Sequence, residues 1–411
     1  PNLSLQRGRI HEFFKYTKPH RKLLEQIELV IIDEISMVRA DIIDAIDRIL
    51  RVYSHNLREP FGGKQLLLVG DVFQLEPVVK NDEREILNRF YPTPYFFSAR
   101  VFGQIDLVSI ELQKVYRQTD PVFVGVLDHI RNNTAGAADL QLLNTRYGSQ
   151  IEESEADMYI TLATRRDTVD SINEKKLAEL PGDPITFEGV IEGDFPESSL
   201  PTSQELVLKP GAQIIFIKNN FDRRWVNGTI GVIAGIDEEE ETIYVITDDG
   251  KECDVKRESW CNIRYRYNEK TKEIEEEVLG SFTQYPIRLA WAITVHKSQG
   301  LTFSRVVIDF TGGVFAGGQA YVALSRCTSL DGIQLKKPIN RADVFVRPEI
   351  VNFAGRFNDR QAIDKALKQA QADVQYAAAS RAFDKGDMEE CLEQFFRAIH
   401  SRYDICLLYT S

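Results

Sequence analysis

The sequence predicts an α/β protein with two parallel-sheet sections, a small β-barrel inserted in the second and a helical C-terminal extension. Three observations carry that expectation. Short apolar, β-branched runs alternate with stretches of helical periodicity, as strands joined by crossover helices do. Between residues 211 and 285 this gives way to closely spaced short strands with turn signals between them. From about Asp359 the pattern is wholly helical.

The elements follow in order. Leu29 to Ile32 reads as a buried strand, and Ala40 to Tyr53 as an amphipathic helix with Ile42, Ile43, Ile46, Ile49 and Leu50 at helical spacing. Gln65 to Val69 is a second buried strand, ending at Gly70-Asp71. A second section opens with the strand Tyr159 to Ala163 and the helix Arg166 to Glu179, and its sheet resumes at Arg288 to Thr294 and Val306 to Phe310. The insertion holds strands at Gln213 to Ile217, Thr229 to Ile233, Thr242 to Thr247 and Cys253 to Lys256, with a hairpin turn at Asp249-Gly250; its size is that of an SH3-like barrel. Tyr376 to Ile399 has the punctuation of one tetratricopeptide-like helix pair, a unit that cannot bury its own face and so either packs on the rest of the chain or continues in further sequence; the helical region is also a candidate seat for a protein partner. Cys406 to Ser411 break that pattern and read as a scar. The expected division is 1–150, then 151–210 with 286–350, the insertion at 211–285, and the helical extension at 359–405.

Bulk properties narrow the class. A chain of 411 residues exceeds one ordinary core. With 43% hydrophobic and 27% charged residues it reads as soluble and globular, and no apolar run reaches the roughly 20 residues that span a bilayer. No membrane role is expected, nor a signal peptide. The chain opens at Pro1 in mid-pattern and is expected to be a fragment. Its five cysteines form no C-x-x-C pair and join no histidine cluster. They read as reduced thiols in a reducing compartment, not as a disulfide frame or a zinc site; a bacterial cytoplasm is the expected setting. The net charge of −12 is concentrated in Asp237 to Glu241, Glu273 to Glu277 and the tail. Local charge governs phosphate binding, so the acidic total does not exclude nucleic acid.

Leu29-Val30-Ile31-Ile32-Asp33-Glu34 delivers two carboxylates to the C-terminal edge of a parallel sheet, where ligands bind in α/β folds. Asp33 would hold Mg²⁺ through water, and Glu34 would orient and deprotonate an attacking water. The bland alternative is a strand end capped by solvated acids. Gly70-Asp71-Val72-Phe73-Gln74-Leu75 ends a second strand in polar residues, and the Gln74 amide can reach a γ-phosphate or the water. Thr164 and Arg165, with Arg166, stand at a strand-to-helix turn that favours phosphate. Asn219 to Gly228, with Arg224, Trp225 and Asn227, mixes basic and aromatic residues as single-strand grooves do; a solvated hairpin around one packed Trp is the equal alternative.

At this point the sequence resembles the Pif/RecD-like superfamily 1B DNA helicases. Val30 to Met37 with Gly62 to Leu66 and Gly70 to Leu75 look like motifs II and III, and Leu112 to Gln118 like motif IV. Thr294 to Thr302 is similar to motif V and Tyr321 to Cys327 to motif VI. The resemblance implies two RecA-like domains, the first truncated, and a motor that hydrolyses ATP with Mg²⁺ to move along single-stranded DNA. It implies 5′ to 3′ movement on single strands and at single-strand/duplex junctions, as a monomer, in replication, repair, recombination or telomere maintenance. Arg117 and Arg326 would be arginine fingers, with Gly70, Asp71, Gln299 and Gly300 beside the nucleotide. Thr294, His296, Lys297 and Ser298 would contact DNA phosphates. The region Pro1 to Lys18 falls where the family carries its strand-separating wedge.

Two departures stand out. No Gly-x-x-x-x-Gly-Lys-Ser/Thr loop occurs, so the chain as it stands is expected neither to bind ATP well nor to hydrolyse it. Glu76 stands where many members of that family have proline. The rival readings are another phosphate-loop ATPase, such as a clamp-loader-like enzyme, and a non-hydrolysing DNA-binding or scaffold protein with a helical interaction module.

Overall fold

The computed structural model describes residues 2–6, 9–13, 18–148, 158–268, 271 and 273–403. They form two compact units, Pro1–Val101 with Val115–Ile350, and Phe102–Lys114 with Val351–Ser411. The region expected to hold a wedge contains an antiparallel hairpin, β1 (Asn2–Gln6) and β2 (Arg9–Phe13), with Pro1, 7–8 and 14–17 outside the described residues.

The larger unit continues with α1 (Lys18–Gln26), β3 (Leu29–Ile32), α2 (Ala40–Tyr53), β4 (Gln65–Leu68), α3 (Asn81–Asn88), α4 (Pro121–Arg131) and α5 (Ala137–Asn144). β3 and β4 pair in parallel, Leu29 against Gln65 and Ile32 against Leu68. The expectation of fully buried strands fails here: burial alternates, and Ile31 is 59% exposed. Among the described residues only these two strands pair in that sheet, so one face lies open and every second side chain meets water. α2 buries Ile43, Ile49 and Leu50 along the predicted stripe. α4 starts on Pro121 after Asp120, whose carboxylate caps the Val122 amide, and ends in His129 and Arg131, cations suited to the negative end of a helix.

The second section opens with β5 (Ile160–Ala163) and α6 (Arg166–Glu179). Its insertion follows: β6 (Ile185–Glu188), β7 (Val190–Gly193), β8 (Glu205–Leu208), β9 (Gln213–Phe216), β10 (Ile230–Asp237), β11 (Thr242–Thr247), β12 (Glu252–Val255), β13 (Glu258–Asn268), β14 (Glu273–Gln284) and β15 (Ile287–Leu289). The sheet resumes as β16 (Ala292–Thr294) and β17 (Val306–Asp309), then α7 (Gln319–Ser325) and β18 (Ile333–Leu335). Strands β16-β5-β17-β18 form one parallel sheet. Its core joins Ile160, Leu162, Val306 and Ile308 to Val322 and Leu324 of α7 and to Phe123, Leu127 and Ile130 of α4.

The insertion differs from its expected outline in three ways. β15 pairs antiparallel with β9, so Arg288 and Leu289 belong to the inserted sheet and not to the parallel β16-β5-β17-β18 sheet. Phe187, Leu206 and Leu208 share a core with Ile214, Phe216 and Tyr285, so strands upstream of residue 211 pack with the insertion. β13 and β14 form a long antiparallel ribbon that the acidic run Glu273 to Glu277 concealed. β7 pairs with β14 only over Gly280 to Thr283, so the acidic run lies on the two-stranded part of the ribbon, where charge is tolerated.

After α8 (Pro348–Ala354), the smaller unit contains the helical hairpin α9 (Arg360–Asp384) and α10 (Met388–Tyr403), as the C-terminal periodicity predicts. Gly386 takes φ +79° between them, and Asp387 caps the Glu390 amide at 3.1 Å. The Asn358 side chain fastens the 102–114 segment by accepting from the Glu111 amide at 3.0 Å. Residues 404–411, including the proposed scar, lie outside the described residues.

Candidate active site

The chemistry starts where β3 and β4 end side by side. Glu34 is forced into the left-handed region at φ 50°, and its amide donates to Asp33 Oδ1 at 2.8 Å. A non-glycine residue there costs roughly 1–2 kcal/mol, and the geometry holds both carboxylates at the strand edge. Gly70 closes the facing strand at φ +152°; a Cβ there would lie 2.9 Å from the Ile35 nitrogen. That glycine lets the loop after β4 approach the Asp33-Glu34 turn. Among the described residues no group of three or more His, Cys, Asp or Glu could hold a metal by itself. Two adjacent acids suit magnesium, which takes one or two carboxylates and leaves its other positions to phosphate and water.

Gln74 sits half-buried on the same loop, and its Oε1 is buried with no hydrogen-bond partner among the described residues. The backbone of this loop abuts α7: a Cβ on Gly318 would meet Phe73 O at 2.3 Å and Gln74 O at 2.4 Å. Asp71 is otherwise engaged. Arg131 Nη2 lies 3.3 Å from its Oδ1, and the Arg131 guanidinium stacks 4.4 Å from the Phe73 ring. Burial first, then the carboxylate of Asp71, pushes the Tyr321 hydroxyl pKa upward. Asp71 therefore joins the first section to α4 and α7.

Arg326 ends α7 at 2% exposure and donates to Val322 O, Leu301 O and Ser325 Oγ at 3.1, 3.4 and 3.1 Å. Burial, then repulsion from Arg117, pushes its pKa down to about 10, against attraction from Tyr321, Glu34 and Asp71. It stays charged at neutral pH. Arg117 donates to Ser325 O at 3.3 Å. The buried Gln118 amide donates to both Ser325 O and Cys327 O at 2.9 Å. Two guanidiniums 209 positions apart in sequence thus converge across from Glu34. Two like charges held close together, one of them buried, favour an anion beside them.

The residues expected to touch DNA divide. The Thr164 hydroxyl is buried without a partner among the described residues, next to Arg165, whose Nε donates to Gly312 O at 3.0 Å. His296 has its pKa lowered by burial, so it offers hydrogen bonds from a neutral ring. Lys297 is exposed, and its amide donates to Thr294 Oγ1 at 3.2 Å. Gly300 is open at φ +74°, and Gln299 Nε2 is buried without a partner among the described residues. Ser298 turns inward: it is fully buried and donates to Val295 O at 2.7 Å, so it shapes the turn. Trp225 is buried and stacks 4.5 Å from Phe216. Arg224 pairs with Asp254, and the Asn227 amide donates to Asn219 Oδ1 at 2.7 Å. The packed-hairpin alternative describes that segment better than a stacking groove.

The family model described as PIF1-like helicase matches residues 10–130. A Campylobacter jejuni protein named ATP-dependent DNA helicase Pif1 is 34% identical over 329 residues, covering 77% of this chain and 70% of the relative. The chain belongs to the PIF1-like helicase family. It spans less than half of the human relative, 45% of its length at 34% identity. A Bacteroides sp Pif1 structure in complex with ADP-AlF4 matches with TM-score 0.75 at 40% identity, over 83% of this chain and 77% of that one. Another Bacteroides Pif1 structure, in complex with ADP-AlF3 and ssDNA, matches with TM-score 0.62 at 40% identity, over 84% and 79%.

Within this Pif1-family chain, sequence reading missed the residues that hold the named ones. Gln118, Arg131 and Tyr321 find their partners only through the fold. Glu76 accepts from Tyr95 Oη at 2.7 Å and lies 3.5 Å from Arg347 Nε. A carboxylate in that place adds an ion pair between the Gln74 loop and the segment after α7, which proline could not make.

Proposed function

We propose that the chain is the motor of an ATP-dependent DNA helicase that moves 5′ to 3′ along single-stranded DNA and opens duplex at junctions. The convergence of Arg117 and Arg326 opposite Glu34 and Gln74 carries the reading. Glu34 takes the proton of a water whose oxygen attacks the γ-phosphorus, the bond to the β-phosphate oxygen breaks, and ADP and phosphate leave. Gln74 orients that water, while Arg117 and Arg326 fork onto γ-phosphate oxygens and stabilise the charge that builds there. Bound magnesium, held through water by Asp33, would neutralise phosphate charge. Gln299 and Gly300 face the nucleotide in this reading, with Gly70 setting the loop. Because the arginines follow different sections, the phosphate draws the sections together and its release lets them part, one step per ATP. Thr164, Arg165, Thr294, His296 and Lys297 hold the strand's phosphates without reading bases.

The 411 residues contain no Gly-x-x-x-x-Gly-Lys-Ser/Thr loop, so the chain alone binds DNA without turnover in this account. That observation also favours the second reading, a non-hydrolysing DNA-binding module whose helical hairpin takes a protein partner. The proposal places the protein, as a monomer, in a bacterial cytoplasm; among the described residues no helix is long and apolar enough to cross a membrane. Partial duplexes with 5′ or 3′ overhangs, given to the full-length protein with ATP, test the proposal. Unwinding from the 5′ overhang is expected. Unwinding from the 3′ overhang alone overturns the polarity, and none from either overturns the helicase reading.

A further inference from the structure

Gln319 opens α7 at 0% exposure, a costly place for a side-chain amide. Its Oε1 accepts from the Phe315 amide at 3.1 Å, while its Nε2 has no partner among the described residues. A buried donor without an acceptor is destabilising, and in a native fold it marks either stored strain or a function.

The acceptor it lacks stands on the facing loop. Gly318, its neighbour in the chain, lies against the loop after β4: a Cβ there would come within 2.4 Å of the Gln74 carbonyl oxygen. The Gln74 side chain has the complementary deficit, since its Oε1 is buried with no donor among the described residues. An orphan acceptor and an orphan donor thus stand at, or one residue from, a single backbone contact between the first section and α7. A hydrogen bond between them removes both deficits and leaves the Gln74 N–H groups free for a phosphate oxygen or the attacking water.

The other end of the Gln319 amide leads toward the residues proposed to hold the strand. Phe315, whose amide it accepts from, belongs to the loop 310–318 between β17 and α7. Earlier in that loop, Gly312 O accepts from Arg165 Nε at 3.0 Å, and a Cβ on Gly312 would lie 3.1 Å from Thr164 Oγ1. A single side chain therefore braces the loop that touches Arg165 and Thr164, and holds its free donor beside the Gln74 loop.

We propose that Gln319 is a positioning residue that couples the nucleotide to the strand: its Nε2–H donates to Gln74 Oε1 when the sections close, turning the Gln74 amide N–H toward the γ-phosphate, while its Oε1 keeps the 310–318 loop in place. The proposal rests on the nucleotide and strand readings above and adds the link between them.

The test is a double-mutant cycle on oligo-dT-stimulated ATP hydrolysis by the full-length protein: wild type, Gln74→Ala, Gln319→Met and the double variant. Each single substitution should slow turnover about tenfold, the worth of one orienting hydrogen bond. The double variant should be no slower than Gln74→Ala, because Gln319 acts through Gln74. The melting midpoint of Gln319→Met should stay near that of wild type, since the substitution removes an orphan donor along with one hydrogen bond. Should it fail to fold, Gln319→Glu, which keeps an oxygen for the Phe315 amide, enters the same cycle. Effects that multiply, or undiminished turnover in the folded Gln319 variant beside a slow Gln74→Ala, overturn this proposal and leave the nucleotide reading standing. Undiminished turnover in Gln74→Ala overturns the role of Gln74 itself, and wild type without strand-stimulated hydrolysis overturns the helicase reading.

Discussion

At the scale of single residues, the site is a contrast between groups that face the cleft and groups that hold them there. Asp33, Glu34, Gln74 and Arg326, the residues proposed to act on the nucleotide, could be picked out because each stands in a recognisable run at or just after the end of a strand or helix. Gln118 was not, because the two carbonyls it binds lie more than 200 positions away and no local pattern announces them. Ser298 sits in the same run as His296, and only the fold shows that its hydroxyl points inward. Gln118→Ala leaves two buried carbonyls short of a donor, a loss of about 1–3 kcal/mol. The urea midpoint of the chain should fall accordingly; a midpoint equal to wild type would show that Gln118 does not pin Arg117 to the end of α7.

At the scale of elements, α2 and α6 have the bounds expected of them, and in α2 the apolar stripe of Ile43, Ile49 and Leu50 is a local signal. β15 does not: the expected strand runs on from Arg288 toward β16, and only pairing partners reveal that Arg288 and Leu289 belong to another sheet. The approach of α7 to the Gln74 loop depends on a glycine rather than on side-chain packing. Gly318→Ala adds a left-handed cost of about 1–2 kcal/mol and sets a methyl against two carbonyl oxygens. It should lower the melting midpoint and, in the full-length protein, reduce ATP hydrolysis more than single-strand affinity. Retained midpoint and turnover would mean that the two elements do not move as one.

At the scale of the molecule, a chain of net charge −12 gathers runs of acid at Asp237 to Glu241 and at Glu273 to Glu277 on β14, while Arg165, His296 and Lys297 are among the residues proposed to hold the strand. The order of motifs announced the two-section architecture, while the extent of the insertion was hidden because its first strands precede the change in texture. The central claim is that Glu34 and the two arginines act on one nucleotide between the sections. The most direct measurement is single-strand-stimulated ATP hydrolysis by the full-length protein, wild type against Glu34→Gln and Arg326→Ala, with oligo-dT binding followed alongside. Both variants should bind the strand as wild type does and lose turnover by about 10²-fold or more. Undiminished hydrolysis in Glu34→Gln would contradict the account.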